Sequence, residues 1–276
     1  MPIEVPSGFA NYDDDRNPPP KKRQILFFLG LFLGTIALIV WGAVLLVDLA
    51  VAQIPPEVEQ QLGRAIVPVF AEQAQAGPVQ EALNALLDRL ERQAPAEVTT
   101  DRDYQVLYVP QEVVNAIAIP GDRVIIYQGL LEQMESENEL MMVLGHELGH
   151  FAHRDHLRGL GRGIAVRVAL AAVLGDVGTL GSIAISGAEN LSSSQYSQGQ
   201  ETQADDFGLD LLVGHYGNAA GATDFFQRLS AEGGRGWDFL ASHPNPDRRV
   251  RQIEAWVQER GYAIGTKQPL PADLQL

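Results

Sequence analysis

Cysteine is absent from all 276 residues. That excludes disulfides, thiolate metal sites and a cysteine nucleophile, and it leaves the compartment open, because a cysteine-free chain tolerates reducing and oxidising surroundings alike. Basic residues are scarce too: 20 Lys and Arg against 35 Asp and Glu give a net charge of −15. This argues against a nucleic-acid partner, since phosphate backbones are bound by basic grooves. The four methionines are Met1, Met134, Met141 and Met142, so none follows residue 142. Histidines number only six. What is plentiful is apolar sequence, 46% of the chain beside 20% charged residues, a globular composition.

One run is long enough to leave water altogether. Residues 25–47 carry no charge over 23 positions, about 34 Å of helix, and read as a single transmembrane helix that contacts the lipid bilayer. Residues 1–24 read as a disordered tail: Asp13-Asp14-Asp15, Pro18-Pro19-Pro20 and Lys21-Lys22-Arg23 bring too little apolar surface to fold. Three bases abut the N-terminal end of the span, and the next Lys or Arg beyond it is Arg64. The positive-inside rule then puts the tail in the cytoplasm and the main domain on the extracytoplasmic, periplasmic side. Ala50-Val51-Ala52 also resembles a cleavage site, but the apolar core exceeds the roughly 7–15 residues of a signal h-region, which favours an uncleaved anchor.

Pro55-Pro56 breaks the helix, and residues 57–93 carry two amphipathic helical patterns parted near Gly77-Pro78. Gln105–Val109, Asn115–Ile119 and Arg123–Tyr127 read as short strands, with Pro120-Gly121-Asp122 a turn. The expected sheet is small, and its edge can take an extended peptide by strand addition. After residue 150 a helical pattern continues to about Leu174. The apolar stretch 164–188 contains Arg167 and Asp176, each costing roughly 2.5–3.5 kcal/mol near mid-membrane, and reads as buried helix plus loop. Glycines and serines across 175–200 suggest a mobile loop over a cleft or a flexible connector. Residues 244–261 form a last amphipathic pattern, and 263–276 an extended tail.

The chemistry is concentrated in His146-Glu147-Leu148-Gly149-His150. Ser136 and Glu139 make a capping box before an apolar run at helical spacing, so this HExxH is helical. On one helix face, His146 and His150 can reach a single zinc ion, with Glu147 placed to take the proton of a water in the open position. A catalytic zinc needs a third protein ligand. His156 has the metzincin spacing, but His153 stands where that motif needs glycine and no methionine follows for the Met-turn. Glu201 begins Glu201-Thr-Gln-Ala204-Asp205. There the first carboxylate can bind zinc and Asp205, one turn on, can take the free N–H of a ligating histidine. Ala204 allows close helix approach. Tyr196 and Tyr216 can donate to an oxyanion but read more simply as packing residues, and His215 as a helix-end histidine.

Four ordered motifs resemble a family: Val114-Asn115-Ala116 to Pro120-Gly121 ahead of Gly129-Leu130-Leu131; the HExxH; Glu201-xx-Ala204-Asp205 with Gly208; and His243-Pro244 followed by Arg249. They are similar to the membrane-associated zinc metallopeptidases that include the HtpX heat-shock protease and the CAAX prenyl endopeptidases. The resemblance implies an α+β, mainly helical gluzincin-type domain with one small sheet over 55–262; the chain departs from the family in its single-pass form without tetratricopeptide repeats. It implies Zn2+ held by His146, His150 and Glu201, with His243 near the metal, stabilising an oxyanion or capping the zinc at rest, and Arg249 organising the cleft. A turn histidine is the plainer reading of His243. The expected function is a zinc endopeptidase acting on unfolded or misassembled envelope proteins. The alternative is a latent, zinc-bound chaperone or assembly factor whose cleft is closed by His243 and the 175–200 loop.

Overall fold

The computed structural model describes residues 21–174, 195–231 and 237–276, so most of the expected tail and of the expected loop lies outside it, while residues 22–24, expected in the tail, are helical. The chain divides into a unit of Met1–Gly42 and one of Ala43–Leu276. Helix α1, Lys22–Val51, supplies the first unit's described residues and the start of the second. It is long and apolar enough to cross a membrane. Leu26, Phe27, Phe28 and Trp41 are 63–68% exposed, so no protein core accounts for these side chains.

The second unit is mainly helical around one three-stranded sheet. After α2 (Pro56–Ala71), α3 (Pro78–Glu91) and the short α4 (Ala96–Thr99) come β1 (Gln105–Val109), β2 (Ala116–Ile119) and β3 (Arg123–Tyr127). The strands lie in the order β1-β3-β2, with β1 parallel and β2 antiparallel to β3. Alternate residues serve two cores. Val106, Tyr108, Ala116, Ala118, Val124 and Ile126 join the large cluster with Leu83, Leu87 and Leu144. Val109, Ile117, Ile119, Ile125 and Tyr127 pack on Ile66 and Phe70 of α2 and on Leu160. The strand period of two thus buries both faces of the sheet.

The short α5 (Gln128–Leu131) leads into α6, Glu137–Ala152, where every residue from Glu137 to Phe151 is buried. Ser136 Oγ accepts the N–H of Glu139 and starts the helix. The helical pattern expected to run on to Leu174 breaks at Arg154, whose φ of 56° is left-handed, and α7 (Asp155–Leu174) begins anew. The break is held from outside, because the Arg154 guanidinium donates to the carbonyls of Val51 (3.0 Å) and Ile54 (2.6 Å) at the end of α1. Helix α8, Gln198–Tyr216, opens on a capping box of Ser197 with Gln200 and closes at Gly217. Helices α9 (Asp224–Ala231), α10 (Trp237–Ser242) and α11 (Pro246–Glu259) follow. The C-terminal segment docks: Gln268 bonds the start of α6 in both directions, and Leu274 is buried.

A buried ion network joins α2 to the sheet and to α7. Arg102 grips both Glu59 oxygens (2.8 and 2.7 Å) and Asp122 (2.6 Å), and His156 Nε2 lies 2.8 Å from Glu59 Oε1. His156 is therefore a partner-bonded histidine in this network. Burial opposes the Glu59 charge, but hydrogen bonds from Arg102 and His156 outweigh it and hold the carboxyl at about 2, below its ordinary 4.5. A depressed acid stabilises the fold fully above its unfolded pKa and loses that contribution as pH falls through the folded one. Glu59→Gln is expected to cost about 3–5 kcal/mol at neutral pH. In thermal melts the gap from wild type should close as pH falls from 4.5 toward about 2; a gap independent of pH would refute the assignment.

Candidate metal centre

Helices α6 and α8 cross backbone to backbone. A Cβ added to Gly149 would stand 2.7 Å from Ala204 Cα, and one added to Gly208 would stand 2.8 Å from the His146 nitrogen. Gly145 meets Gly208 in the same way. The helices run antiparallel here, which brings Asp205 opposite His146 and Glu201 opposite His150. The approach expected of Ala204 is present, and the glycines facing it on α6 make it close.

Four side chains converge at the crossing. His146 Nε2 lies 3.1 Å from His150 Nε2 and 3.1 Å from His243 Nδ1. Glu201 Oε1 lies 3.1 Å from His243 Nδ1 and 3.5 Å from His150 Nε2. His243 arrives on the Ser242–Pro244 turn after α10, its ring stacked on Phe239 at 4.5 Å. Asn245 takes a left-handed φ of 63° there and admits α11. From α11, Arg249 is buried over the Phe226 ring and donates to both Asp205 oxygens, Nε at 2.9 Å and Nη2 at 2.6 Å. Its Nη1 lies 3.0 Å from Glu201 Oε2, without hydrogen-bond alignment.

A carboxylate faces each Nδ1. Asp205 Oδ1 is 2.9 Å from His146 Nδ1 and Asp155 Oδ2 is 3.1 Å from His150 Nδ1. An ionised carboxylate only accepts, so Asp155 calls for a proton on His150 Nδ1 and turns its Nε2 to the group; His146 Nδ1 has both Asp205 and, at 3.1 Å, Arg249 Nη2 beside it. Burial and the nearby Arg249 charge push His146 down to about 4. Burial also opposes charge on His150, but hydrogen bonds to Asp155 and Glu201 outweigh it and raise it to about 9. For Glu201, burial is overcome by His243, Arg249 and His146, which hold it well below the usual carboxylate range.

This donor set fits zinc. Ligands about 2.0–2.1 Å from a tetrahedral zinc stand about 3.3–3.4 Å apart, close to the spacings here. One ligand atom from each of His146, His150, Glu201 and His243 lies within 4.8 Å of the others. Among the described residues, both Glu147 oxygens and Glu201 Oε2 are buried without a hydrogen-bond partner. Orphaned carboxylate oxygens in a dry interior call for a cation or a polar ligand.

Residues 74–257 match peptidase family M48. The chain belongs to this family. It is 37% identical over 145 residues to the metalloprotease LoiP of Escherichia coli, covering 51% of this chain and 57% of that protein. It is 29% identical over 166 residues to the mitochondrial metalloendopeptidase OMA1 of Schizosaccharomyces pombe, covering 58% and 48%. With the beta-barrel assembly-enhancing protease of Yersinia pestis it shares 28% over 186 residues, 61% and 37% of the two chains. The chain thus spans about half the length of the curated relatives it matches. M48 peptidases are zinc-dependent, in keeping with the donor set.

Every residue singled out for this M48 site, His146, Glu147, His150, Glu201, Asp205, His243 and Arg249, is buried at the crossing. Tyr196 packs, as expected, with its ring stacked on His150, centroids 3.8 Å apart and rings 17° from parallel. Tyr216 points elsewhere, donating to Glu137 at 2.6 Å. Two residues escaped the sequence reading. Asp155 touches His150, and Gln200 donates to Asp155 at 2.7 Å. The available signal was an acid five residues past His150, the counterpart of Asp205 for the second histidine.

The full chain is expected to retain one zinc on dialysis. Glu201→Ala should weaken zinc more than about 100-fold, beyond the roughly 10–100-fold typical of outer residues such as Asp205. Metal analysis with chelator competition checks both, and wild-type zinc content in Glu201→Ala would refute the ligand role.

Proposed function

We propose that this M48 chain is a membrane-anchored zinc endopeptidase that cleaves unfolded or misassembled envelope proteins. The observation that carries this reading is Glu147, buried beside the converging ligands with neither oxygen hydrogen-bonded among the described residues. His146, His150 and Glu201 would hold the zinc, which supplies Lewis-acid polarisation of the substrate carbonyl and the attacking water. Glu147 takes the proton of that water at a carboxylate oxygen and passes it to the leaving amine. Asp205 holds His146, and Arg249 holds Asp205 while balancing the Glu201 charge.

Edge geometry supports an extended substrate. The outward groups of β1 are already taken: Val106 N–H by Asn84 (2.7 Å), Tyr108 N–H by Gln80 (3.2 Å) and the Tyr108 carbonyl by the Gln75 N–H (2.8 Å). The other edge is β2, where Asn115 Oδ1 takes the outward Ala116 N–H at 2.9 Å and also accepts from Ser242 Oγ at 3.3 Å, beside His243. An extended peptide added to β2 would run toward the site. The envelope substrate rests on the assembly-enhancing role in the Yersinia pestis relative's name and on the anchor. Lys21, Lys22 and Arg23 before α1 support a cytoplasmic N-terminus and an extracytoplasmic catalytic domain.

His243 favours a second reading. Its Nδ1 takes the fourth corner of the ligand group, where an open catalytic zinc keeps solvent. In the protease the ring swings aside for substrate; in a latent chaperone it stays. Glu147→Gln should keep its zinc and lose about 10²–10⁴-fold in cleavage of casein, the range for a general base. Full activity in that variant would sink the mechanism. Casein cleavage by wild type or by His243→Ala would defeat the pure chaperone reading.

A further inference from the structure

Three consecutive residues at the α6–α7 break each reach a different part of the fold. Arg154 grips the end of α1 through the Val51 and Ile54 carbonyls. His156 meets Glu59 of α2. Between them Asp155 is fully buried and turned the other way, its Oδ2 3.1 Å from His150 Nδ1. Its second oxygen accepts from Gln200 Nε2 at 2.7 Å and from Arg158 Nη1 at 3.2 Å.

Asp155 opens α7, where an acid ordinarily accepts backbone N–H groups of its own first turn. Here the carboxylate is spent on His150 and on the residue before Glu201. We infer that Asp155 is the positioning residue of His150, doing for the second histidine what Asp205 does for the first. It holds the Nδ1 proton so that Nε2 faces the metal, and through Gln200 it ties that ring to the start of α8. Arg154 and His156 keep the turn that presents it from shifting. Both histidines of the HExxH are then oriented by carboxylates, one from each side of the helix crossing. The inference rests on the zinc reading of the site.

The test uses the full chain in detergent and compares wild type, Asp155→Asn, Asp155→Ala and Gln200→Ala. Zinc affinity is measured by chelator competition, and the visible absorption of the Co2+-loaded protein reports ligand geometry without reference to activity. Asp155→Asn should lose about 10–100-fold in zinc affinity and shift the cobalt spectrum. With zinc saturating, its kcat should fall while KM holds. Should the Asp155 variants not fold, Gln200→Ala carries the test, since it loosens the carboxylate without removing it and should shift the cobalt spectrum in the same direction. Wild-type affinity and an unaltered spectrum in the folded variants would reduce Asp155 to a structural acid and overturn the inference alone. A wild-type chain that takes up no zinc would overturn the metal reading itself.

Discussion

The backbone contact between α6 and α8 is the constraint on which the site depends. At Gly149 and Ala204 the helices approach so closely that one added methyl would collide with main chain. Short side chains such as Glu201 and Asp205 can bridge only at that separation. It is also what makes α6 expensive to bury: a helix enclosed all round carries His146, Glu147 and His150 into the interior with it. Their compensation comes from across the crossing and from α11, as Asp205 lies against both His146 and Arg249. Buried ions tolerate such a place only when reciprocally bonded.

Electrostatics within the group are uneven. Two imidazoles one helical turn apart are driven in opposite directions, His146 toward neutrality by burial and Arg249, His150 toward protonation by Asp155 and Glu201. Among the described residues, the buried polar atoms without a hydrogen-bond partner lie in the same few ångströms, on Glu147, Glu201 and Arg249, except for Asn138 Nδ2 at the start of α6. Elsewhere the buried charges are matched, as at Glu59 with Arg102 and Asp122. Departures from local satisfaction are expected where function requires them.

Much of this was legible because it is local or periodic. The strands are short apolar runs bounded by turn residues, and α6 begins at Ser136 as its capping residues require, whereas α8 begins at Gln198, inside the expected loop. The HExxH and Glu201-xx-Ala204-Asp205 spacings put the right side chains on the right faces before any tertiary contact was known. What could not be read was what tertiary partners decide. The break at Arg154 depends on carbonyls about a hundred positions earlier in the chain, and nothing in its own neighbourhood demands a left-handed residue. Asp155 looks like an ordinary first-turn acid until α8 brings Gln200 to it. The family resemblance put His243 near the ligand group, but the Phe239 ring on which it stacks is a tertiary contact that the sequence does not show.

The treatment of β1 has a consequence of another kind. Asn84, Gln80 and Gln75 occupy the hydrogen-bonding groups that a neighbouring strand would need. A sheet open on both sides is a seed, because each strand it captures presents a fresh edge to the next and growth in both directions is the route to aggregation. A peptidase that received extended, unfolded chains would meet that hazard constantly. Closing one side with the Asn84 and Gln80 side chains and the Gln75 backbone N–H turns a potential nucleus into a terminus.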